Sequence, residues 1–372
     1  MYYDSFNYFR KFVFDINLEP IEIKASINYL FDFLFFHHKI DNKMKYDVFG
    51  IGNPLIDVII KTEDSMLDEL GISKGSMNLV DVDRQKFILE KHKTLSRFTA
   101  LGGSCPNTMV MISQLGGKSA LCGKIGLDEL GDDYLKQLQI SGVDSYLKRK
   151  DGMTGSTIIL ISPDADRTMN THLGMCQHLA KDDLKLDAIS NSKYLYVTGY
   201  QWDTPSQKET VLTALEHAKK NEITISLSLS DLFCVEKHKK DFQKLLDNYV
   251  NLVFCNELEA KQMTDEENPK DQLRKLSESV DHVVITLGNE GSLIKYNNDI
   301  IEVDAFQVEA IDTTGAGDAF AAGYLYALTQ NYTIQQVGQL ASICAAKVVS
   351  IDGPRCKNNF KEQVKDYIVT SN

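Results

Sequence analysis

The stretch EAIDTTGAGDAFAAGYLYAL, residues 309–328, places a polar, glycine-rich segment directly before an apolar run. Apolar residues recur at helical spacing from Phe320 to Leu328, so we expect a loop to become a helix near Asp318. The first amides of a helix have no partner inside it, and the helix dipole is positive there. Gly315 and Gly317 carry no side chain, so an anion can approach those amides. Asp318 is then suited to removing a proton from a hydroxyl that attacks a phosphate; a simple helix-capping aspartate is the alternative.

Composition limits the class of protein. The chain has 372 residues, 43% of them hydrophobic, which allows one large or two ordinary domains with a full core. A formal net charge of -12 argues against a nucleic-acid or anionic-membrane partner. Seven cysteines occur without a CxxC pair, which argues against a zinc site and favours a reducing compartment. We therefore expect a cytoplasmic protein without a nucleic-acid or membrane partner. We further expect it to be a monomer or homodimer.

The first 43 residues differ from the rest of the chain. They are rich in aromatic residues, and their apolar run at 29–36 is too short to span a bilayer. Met44 stands directly before KYDVFGIGN, where a strand-like core begins. We expect residues 1–43 to be an appended segment that precedes a domain at 44–372, and an upstream translation of a true start at Met44 would explain it.

Strand-like and helix-like runs alternate after Met44, which predicts βαβ units and a mostly parallel sheet covered by helices on both faces. The strand-like runs are 47–52, 119–122, 194–197, 223–228, 251–254 and 282–286, and the helix-like runs are 105–115, 128–140, 205–220, 236–248 and 256–264. The expected fold class is therefore α/β.

Three strand-like segments break this rhythm because no long helix adjoins them. They are 55–62, 76–81 and 156–173, and the last contains the turn signal SPDAD, which predicts a hairpin. We expect these segments to form a small separate sheet that covers a cleft as a lid.

Two glycine-rich segments lack a residue that known phosphate motifs require. GIGNPL has Leu55 where a dinucleotide fingerprint needs its third glycine. GGKS follows Ile112, where a P-loop needs its first glycine. A nicotinamide dehydrogenase and a P-loop kinase are therefore both disfavoured.

Polar residues in the first third of the chain are candidates for a sugar site. Asp57 lies just inside an apolar strand, where its carboxylate could accept hydrogen bonds from two neighbouring hydroxyls. Asn107 lies in the first turn of a predicted helix, and the backbone of Gly102 and Gly103 precedes it. The alternatives are a turn aspartate at a strand end and a helix-capping asparagine.

A second group of residues is a candidate for a nucleotide site. Asn256 and Glu259 are three apart, so they share one side of a helix start that follows a buried strand. An amide and a carboxylate there could orient water around Mg²⁺ and nucleotide phosphates, or form an ordinary acidic helix start. Thr286, Gly288 and Gly291 lie in a tight turn that could border the nucleotide or form only a hairpin.

Together these motifs resemble the ribokinase-like (PfkB) family of carbohydrate and nucleoside kinases, from about Lys45 to Gly353. DTTGAGDAF is similar to the C-terminal signature of that family, and GGSCPN with the following LGG is similar to its N-terminal signature. Met109 stands where a small residue is commoner. The resemblance implies a doubly wound sheet with a β lid, and the use of ATP and Mg²⁺.

The resemblance also implies a role for each candidate residue. Asp318 is expected to be the catalytic base, and the backbone amides of Gly315, Ala316 and Gly317 are expected to form the anion hole. Asn256 and Glu259 fall where the family binds Mg²⁺ and phosphate, and Thr286, Gly288 and Gly291 fall where it binds ATP. Asp312 and Thr314 fall where many members bind a monovalent cation such as K⁺. Asp57, Gly103 and Asn107 fall where the family binds the ring hydroxyls.

Within the family, the chain most resembles adenosine kinases, because Asn53 and Asp57 occur in the N-P-L-x-D pattern typical of them. ADRTMNTHLG and GYQWDTP are similar to bacterial members usually identified as adenosine kinases. Eukaryotic members tend to have glutamine where Met77 aligns, and we expect Met77, Leu79 and Trp202 to enclose a purine. The predicted reaction is ATP-dependent phosphorylation of the 5'-hydroxyl of adenosine. The alternatives are a ribokinase- or fructokinase-like sugar kinase, another purine nucleoside kinase, and an inactive nucleotide-binding regulator.

Overall fold

The protein is built on two β-sheets, and the structure is a computed structural model that describes residues 44–164, 166–351, 353–356 and 360–367. In chain order the strands are β1 Tyr46–Ile51, β2 Leu55–Lys61, β3 Met77–Leu79, β4 Arg97–Gly102, β5 Ser119–Gly126, β6 Asp144–Lys150, β7 Gly155–Ile161, β8 Arg167–His172, β9 Ser192–Thr198, β10 Thr224–Ser228, β11 Leu252–Asn256, β12 His282–Thr286, β13 Ser292–Tyr296 and β14 Asp299–Val303.

Helices connect most strands of the larger sheet. They are α1 Asp64–Leu70, α2 Val82–Lys91, α3 Ser104–Leu115, α4 Glu129–Ile140, α5 Leu186–Ser190, α6 Pro205–Lys220, α7 Leu232–Asn248, α8 Glu257–Thr264, α9 Pro269–Leu276, α10 Ala316–Leu328, α11 Ile334–Val349 and α12 Phe360–Val364. Among the residues that the structure describes, none of these helices is long and apolar enough to cross a membrane.

The larger sheet has nine strands in the order β14-β13-β12-β11-β10-β9-β1-β5-β6. Its neighbouring strands are parallel except for the β12–β13 and β13–β14 pairs. Parallel strands are buried on both faces, which explains why runs such as LVFC are continuously apolar. The expected α/β fold, a mostly parallel sheet flanked by helices with a smaller second sheet, is confirmed.

The strand order reverses at β1. The next strands, β5 and β6, lie on one side of β1, whereas β9 to β12 lie on the other. Ligands of such sheets bind at the carboxyl ends of the strands where the order reverses. Asn53 is the second residue after β1, and the 3₁₀ turn Gly199–Trp202 directly follows β9, so both lie at this edge.

The smaller sheet, which we call the lid sheet, has the order β3-β8-β7-β2-β4. β7 and β8 are antiparallel, so the predicted hairpin within 156–173 is present. α1 and α2 pack on this sheet around a small core of their own, which contains Ile60, Leu67, Leu70, Ile72, Ile88, Ile158 and Leu160. The edge strand β4 was not predicted, because its first residues are exposed and Arg97 begins it.

The predicted elements of the larger sheet agree with the structure within a few residues. All six strand-like runs lie in that sheet, and all five helix-like runs are helices. The predicted appended segment, residues 1–43, lies outside the described residues.

Candidate active site

Two cavities meet at the glycine-rich loop before α10. The first, which we call the lid cavity, has a volume of about 270 Å³ and lies between the lid sheet, the ends of β1 and β9, and this loop. The second, which we call the loop cavity, has a volume of about 360 Å³ and is bordered by the turn after β12 and by α11. Thr313, Ala316 and Gly317 line both cavities. A group bound in one cavity is therefore separated from the other only by this loop.

The loop has the backbone geometry of an anion site. Gly315 has φ +77°, and a side chain there would lie 2.1 Å from the Pro354 carbonyl oxygen. An added Cβ at Gly317 would meet no atom within 4 Å, so its backbone borders open space. α10 begins at Ala316, no side chain caps its first amides, and residues 315–317 line the lid cavity. The arrangement suits a phosphate, as the sequence predicts.

Asp318 lies in the first turn of α10 and lines the lid cavity. Its Oδ1 accepts a hydrogen bond of 2.6 Å from Ser104 Oγ, and its Oδ2 accepts one of 3.0 Å from Asn107 Nδ2. Burial raises the pKa of Asp318 to about 6, against the opposing effect of these two bonds and the charge of Arg355. Asp318 is therefore held in a fixed position and can accept a proton near neutral pH.

Asn107 has a second role that the sequence did not predict. Its side-chain nitrogen donates to Asp318, and its buried Oδ1 has no hydrogen-bond partner among the described residues. The residue lines the same cavity. The oxygen can therefore accept a hydroxyl proton from a ligand. That Asn107 binds a sugar hydroxyl remains a prediction, and the atom expected to accept the hydrogen bond is Oδ1.

Asp57 reaches the lid cavity from β2, and 6% of the residue is exposed. Burial raises its pKa to about 7, and the charges of Arg355 and Arg167 oppose this rise while that of Asp318 adds to it. A Cβ at Gly102 would lie 2.2 Å from Asp57 Oδ1, so glycine there provides the room for this carboxylate. Gly103, with φ +95°, directly lines the cavity.

The segment 353–355 supports the site from behind. Arg355 Nη2 donates a 2.5 Å hydrogen bond to the Leu101 carbonyl oxygen. Its Nη1 atom is buried without a hydrogen-bond partner among the described residues. Its positive charge lowers the pKa values of both Asp57 and Asp318. Arg355 thus favours the ionised form of the two carboxylates that line the lid cavity.

Asp312 links the loop to the lid sheet. Arg167, the first residue of β8, forms an ion pair with Asp312, and both side chains are largely buried. The Asp312 carboxylate also accepts hydrogen bonds from the amides of Thr314 (2.9 Å) and Gly353 (2.6 Å). Thr314 lines the lid cavity. In this arrangement Asp312 binds a side chain and two amides, so its predicted role as a cation ligand stays a prediction.

Asn256 and Glu259 form a reciprocal cap at the start of α8. Asn256 Oδ1 accepts from the Glu259 amide at 2.8 Å, and the Glu259 carboxylate accepts from the Asn256 amide and side chain at 3.1 and 2.7 Å. Burial raises the pKa of Glu259 to about 7, and the charge of Asp231 adds to this rise. Neither residue lines the two cavities. Asn256 is paired in the sheet with Thr286, which lines the loop cavity beside Gly288 and Gly291.

Apolar side chains of the lid sheet form one wall of the lid cavity. Met77, Leu79, Met169 and Ile159 all line it. Trp202 does not, which corrects the expectation that it encloses a purine. The side chain of Trp202 points into the core, where its ring contacts Phe242 edge-on at 6.0 Å, and 3% of the residue is exposed.

Several site residues were missed from the sequence. Ser104 stands within a quoted signature but its contact with Asp318 joins residues 214 positions apart. Arg167 lies within the segment ADRTMNTHLG, and a positive charge in a predicted lid strand could have indicated it as a site residue. Arg355 lies between α11 and α12 in a segment with no recognisable pattern. Gln201 also lines the lid cavity and stands in the quoted GYQWDTP segment.

Comparison with known proteins agrees with this geometry. Residues 74–358 match the pfkB family of carbohydrate kinases. The chain belongs to that family. It is therefore a phosphotransferase that acts on a hydroxyl group of a small molecule and uses ATP.

Similar proteins include both sugar and nucleoside kinases. A probable sugar kinase from Rhizobium etli CFN 42 is 32% identical with a TM-score of 0.82, over 87% of this chain and 98% of that one. An adenosine kinase from Sinorhizobium meliloti is 33% identical with a TM-score of 0.82, over 87% of this chain and 100% of that one. A guanosine-inosine kinase from Escherichia coli K12 is 27% identical over 66% of this chain and 58% of its own length.

The loop cavity fits ATP in its chemistry. Its walls include apolar side chains that suit a base, among them Phe306, Val308 and Phe320, and the glycine loop also borders it. The described residues contain no group of three or more histidine, cysteine or acidic residues that could hold a metal ion. Mg²⁺ is usually bound by one or two carboxylates together with water and substrate phosphates. Both carboxylate oxygens of Glu259 are engaged in the helix cap, so its predicted role as a metal ligand stays a prediction. When bound, Mg²⁺ neutralises charge on the transferred phosphoryl group.

Proposed function

We propose that the kinase transfers the terminal phosphoryl group of ATP to the 5'-hydroxyl of a purine nucleoside, with adenosine as the expected substrate. The observation that carries this proposal is the meeting of the two cavities at the glycine loop, with Asp318 on the lid-cavity side. ATP in the loop cavity directs its phosphates to the amides of residues 315–317. A hydroxyl in the lid cavity can then lose its proton to Asp318 as it attacks.

The nucleoside part of the proposal rests on the shape and chemistry of the lid cavity. Asp57 and Asn107 Oδ1 offer acceptors for ribose hydroxyls near Asp318. Met77 and Leu79 offer an apolar wall against which a flat base can lie. A bare sugar has no group that covers this wall. The similarity to an adenosine kinase over 87% of the chain supports the same substrate class.

We also propose that Mg²⁺ is held through water near Glu259 and Asn256. A monovalent cation would require Arg167 to release Asp312, because the ion pair uses that carboxylate in the present conformation. A K⁺-dependent rise in activity that disappears in Asp312→Asn would support the cation site, and identical activity in Na⁺-, K⁺- and choline-containing buffers would contradict it.

A substrate panel tests the proposed function. ATP with adenosine, inosine, guanosine, ribose or fructose is incubated with the purified kinase, and ADP release and the 5'-phosphate product are measured. Asp318→Asn, prepared in parallel, controls for contaminating kinases. We expect the nucleosides to exceed the sugars in kcat/KM. A higher kcat/KM for ribose or fructose than for every nucleoside would establish the alternative, a sugar kinase, which the R. etli relative favours.

A further inference from the structure

The side chain of Gln201 is buried in the wall of the lid cavity without a hydrogen-bond partner. Gln201 lies in the 3₁₀ turn after β9 and is 0% exposed. Neither Nε2 nor Oε1 has a partner among the residues that the structure describes, although both atoms are buried.

Other buried glutamines in the described part of the chain show how unusual this is. Gln207 donates to Asn53 Oδ1 at 2.6 Å and accepts from Thr204 Oγ1 at 2.9 Å. Gln85 donates to two backbone carbonyl groups and accepts from Ser156. Gln272, which lines neither cavity, donates to the Glu266 carbonyl oxygen at 3.0 Å, although its Oε1 also has no partner among the described residues. Buried polar groups without partners are costly and therefore need an explanation.

We propose that Gln201 recognises the base of the nucleoside, and this inference rests on the proposed function. Its amide presents one donor and one acceptor side by side in a plane. The edge of a purine offers the complementary pair: an amino group beside a ring nitrogen in adenine, or a carbonyl beside an N–H in hypoxanthine and guanine. Ligand binding would thus satisfy both buried atoms of Gln201 at once.

Among the residues that line this cavity, Gln201 has two buried side-chain atoms without a hydrogen-bond partner in the described structure. Asp57 and Asn107 come from β2 and α3 and are proposed to meet ribose hydroxyls, and Asp318 comes from α10 and is proposed to meet the hydroxyl that reacts. Gln201 approaches from the end of β9. Asp203 also lines the cavity, but its Oδ1 pairs with Lys237 Nζ at 3.0 Å. Because the Gln201 amide can rotate by half a turn, it serves both 6-amino and 6-oxo purines. We therefore infer a substrate range that includes adenosine and inosine.

The test compares adenosine with purine riboside, which has the same sugar but lacks the 6-amino group. In the unaltered kinase, adenosine should have the higher kcat/KM by about 10-fold, because purine riboside leaves the buried Oε1 unpaired. Gln201→Met keeps the length of the side chain and removes both polar atoms. In this variant the ratio should fall to within about 2-fold of 1. Gln272→Met, a buried glutamine outside both cavities, is the matched control and should keep the original ratio.

Stability provides the second measurement. Gln201→Met should raise the Tm of the ligand-free protein by a few degrees, because an unsatisfied buried amide is removed. If the ratio of kcat/KM for adenosine to kcat/KM for purine riboside is unchanged in Gln201→Met, the inference is overturned. Equal losses of kcat/KM for both nucleosides would give this result and would indicate that Gln201 contacts the sugar. These results leave the nucleoside kinase proposal intact, since that proposal fails only if sugars are the better substrates.

Discussion

Replacement of Asp57 by asparagine should make the ligand-free protein more stable at high pH. Asp57 is almost fully buried in β2, and its pKa is raised to about 7 chiefly by burial. An unfolded aspartate has a pKa of about 3.9. Between these values the folded state retains a proton that the unfolded state has lost. The free energy of unfolding therefore falls as the pH rises from about 4 to about 7, and the loss is complete above pH 7.

The magnitude follows from the size of the shift. About three pKa units at about 1.4 kcal/mol each give an upper limit of about 4 kcal/mol for the cost of ionised Asp57. Asparagine has the same shape and does not ionise. The free energy of unfolding of Asp57→Asn should therefore match that of the original protein near pH 4 and exceed it by about 2–4 kcal/mol at pH 8.

Equilibrium unfolding in urea at pH 5, 6, 7 and 8, without substrate, measures this difference. Asp68→Asn, an exposed aspartate of α1, controls for the loss of one negative charge. A difference that stays constant across this pH range would refute the reasoning, because a burial cost must disappear when the carboxyl is protonated. The same variant should raise the KM for the nucleoside, since a carboxylate that accepts hydroxyl protons is lost.

Three further predictions concern the loop and the lid. Asp318→Asn should lower kcat about 10²–10⁴-fold while a binding titration shows unchanged ATP affinity, and near-normal turnover in this variant would show that Asp318 takes no part in the chemistry. In the unaltered kinase, kcat should fall as the pH drops below about 6, because the raised pKa leaves Asp318 protonated there. Arg167→Met should raise the KM for the nucleoside, because the ion pair between the lid sheet and the loop is lost. Arg97 is an exposed arginine of the same sheet, so Arg97→Met should leave this KM unchanged; equal effects of the two substitutions would show that the ion pair is unimportant. Gly315→Ala should lower the Tm, because residue 315 has a positive φ and a Cβ there would meet the Pro354 carbonyl oxygen, whereas Gly317→Ala should keep the Tm and raise the KM for ATP. An equal loss of Tm in both variants would contradict the open space beside residue 317.

The fold could be predicted from the sequence to a large extent. The alternation of apolar strands and amphipathic helices identified every strand of the parallel part of the sheet except β6, because burial and backbone hydrogen bonding leave a periodic record in neighbouring residues. β4 and β6 were not predicted, because their exposed or charged residues obscure the apolar pattern of a strand. The loop from Asp312 to Asp318 was recognisable for the same local reason, since a glycine turn and a helix start are properties of adjacent residues.

The contacts that complete the site depend on the tertiary structure. Ser104 and Asn107 meet Asp318 across more than 200 residues, and Arg167 meets Asp312 only because β8 of the lid sheet lies against the loop. Trp202 was assigned to the cavity by its type, but the 3₁₀ turn after β9 directs its neighbour Gln201 there instead. Local sequence specifies which residues are polar and which elements they begin. Burial, charge proximity and the order of strands in the sheet decide which of them meet and which lose their contact with water, and these quantities exist only once distant segments have packed together.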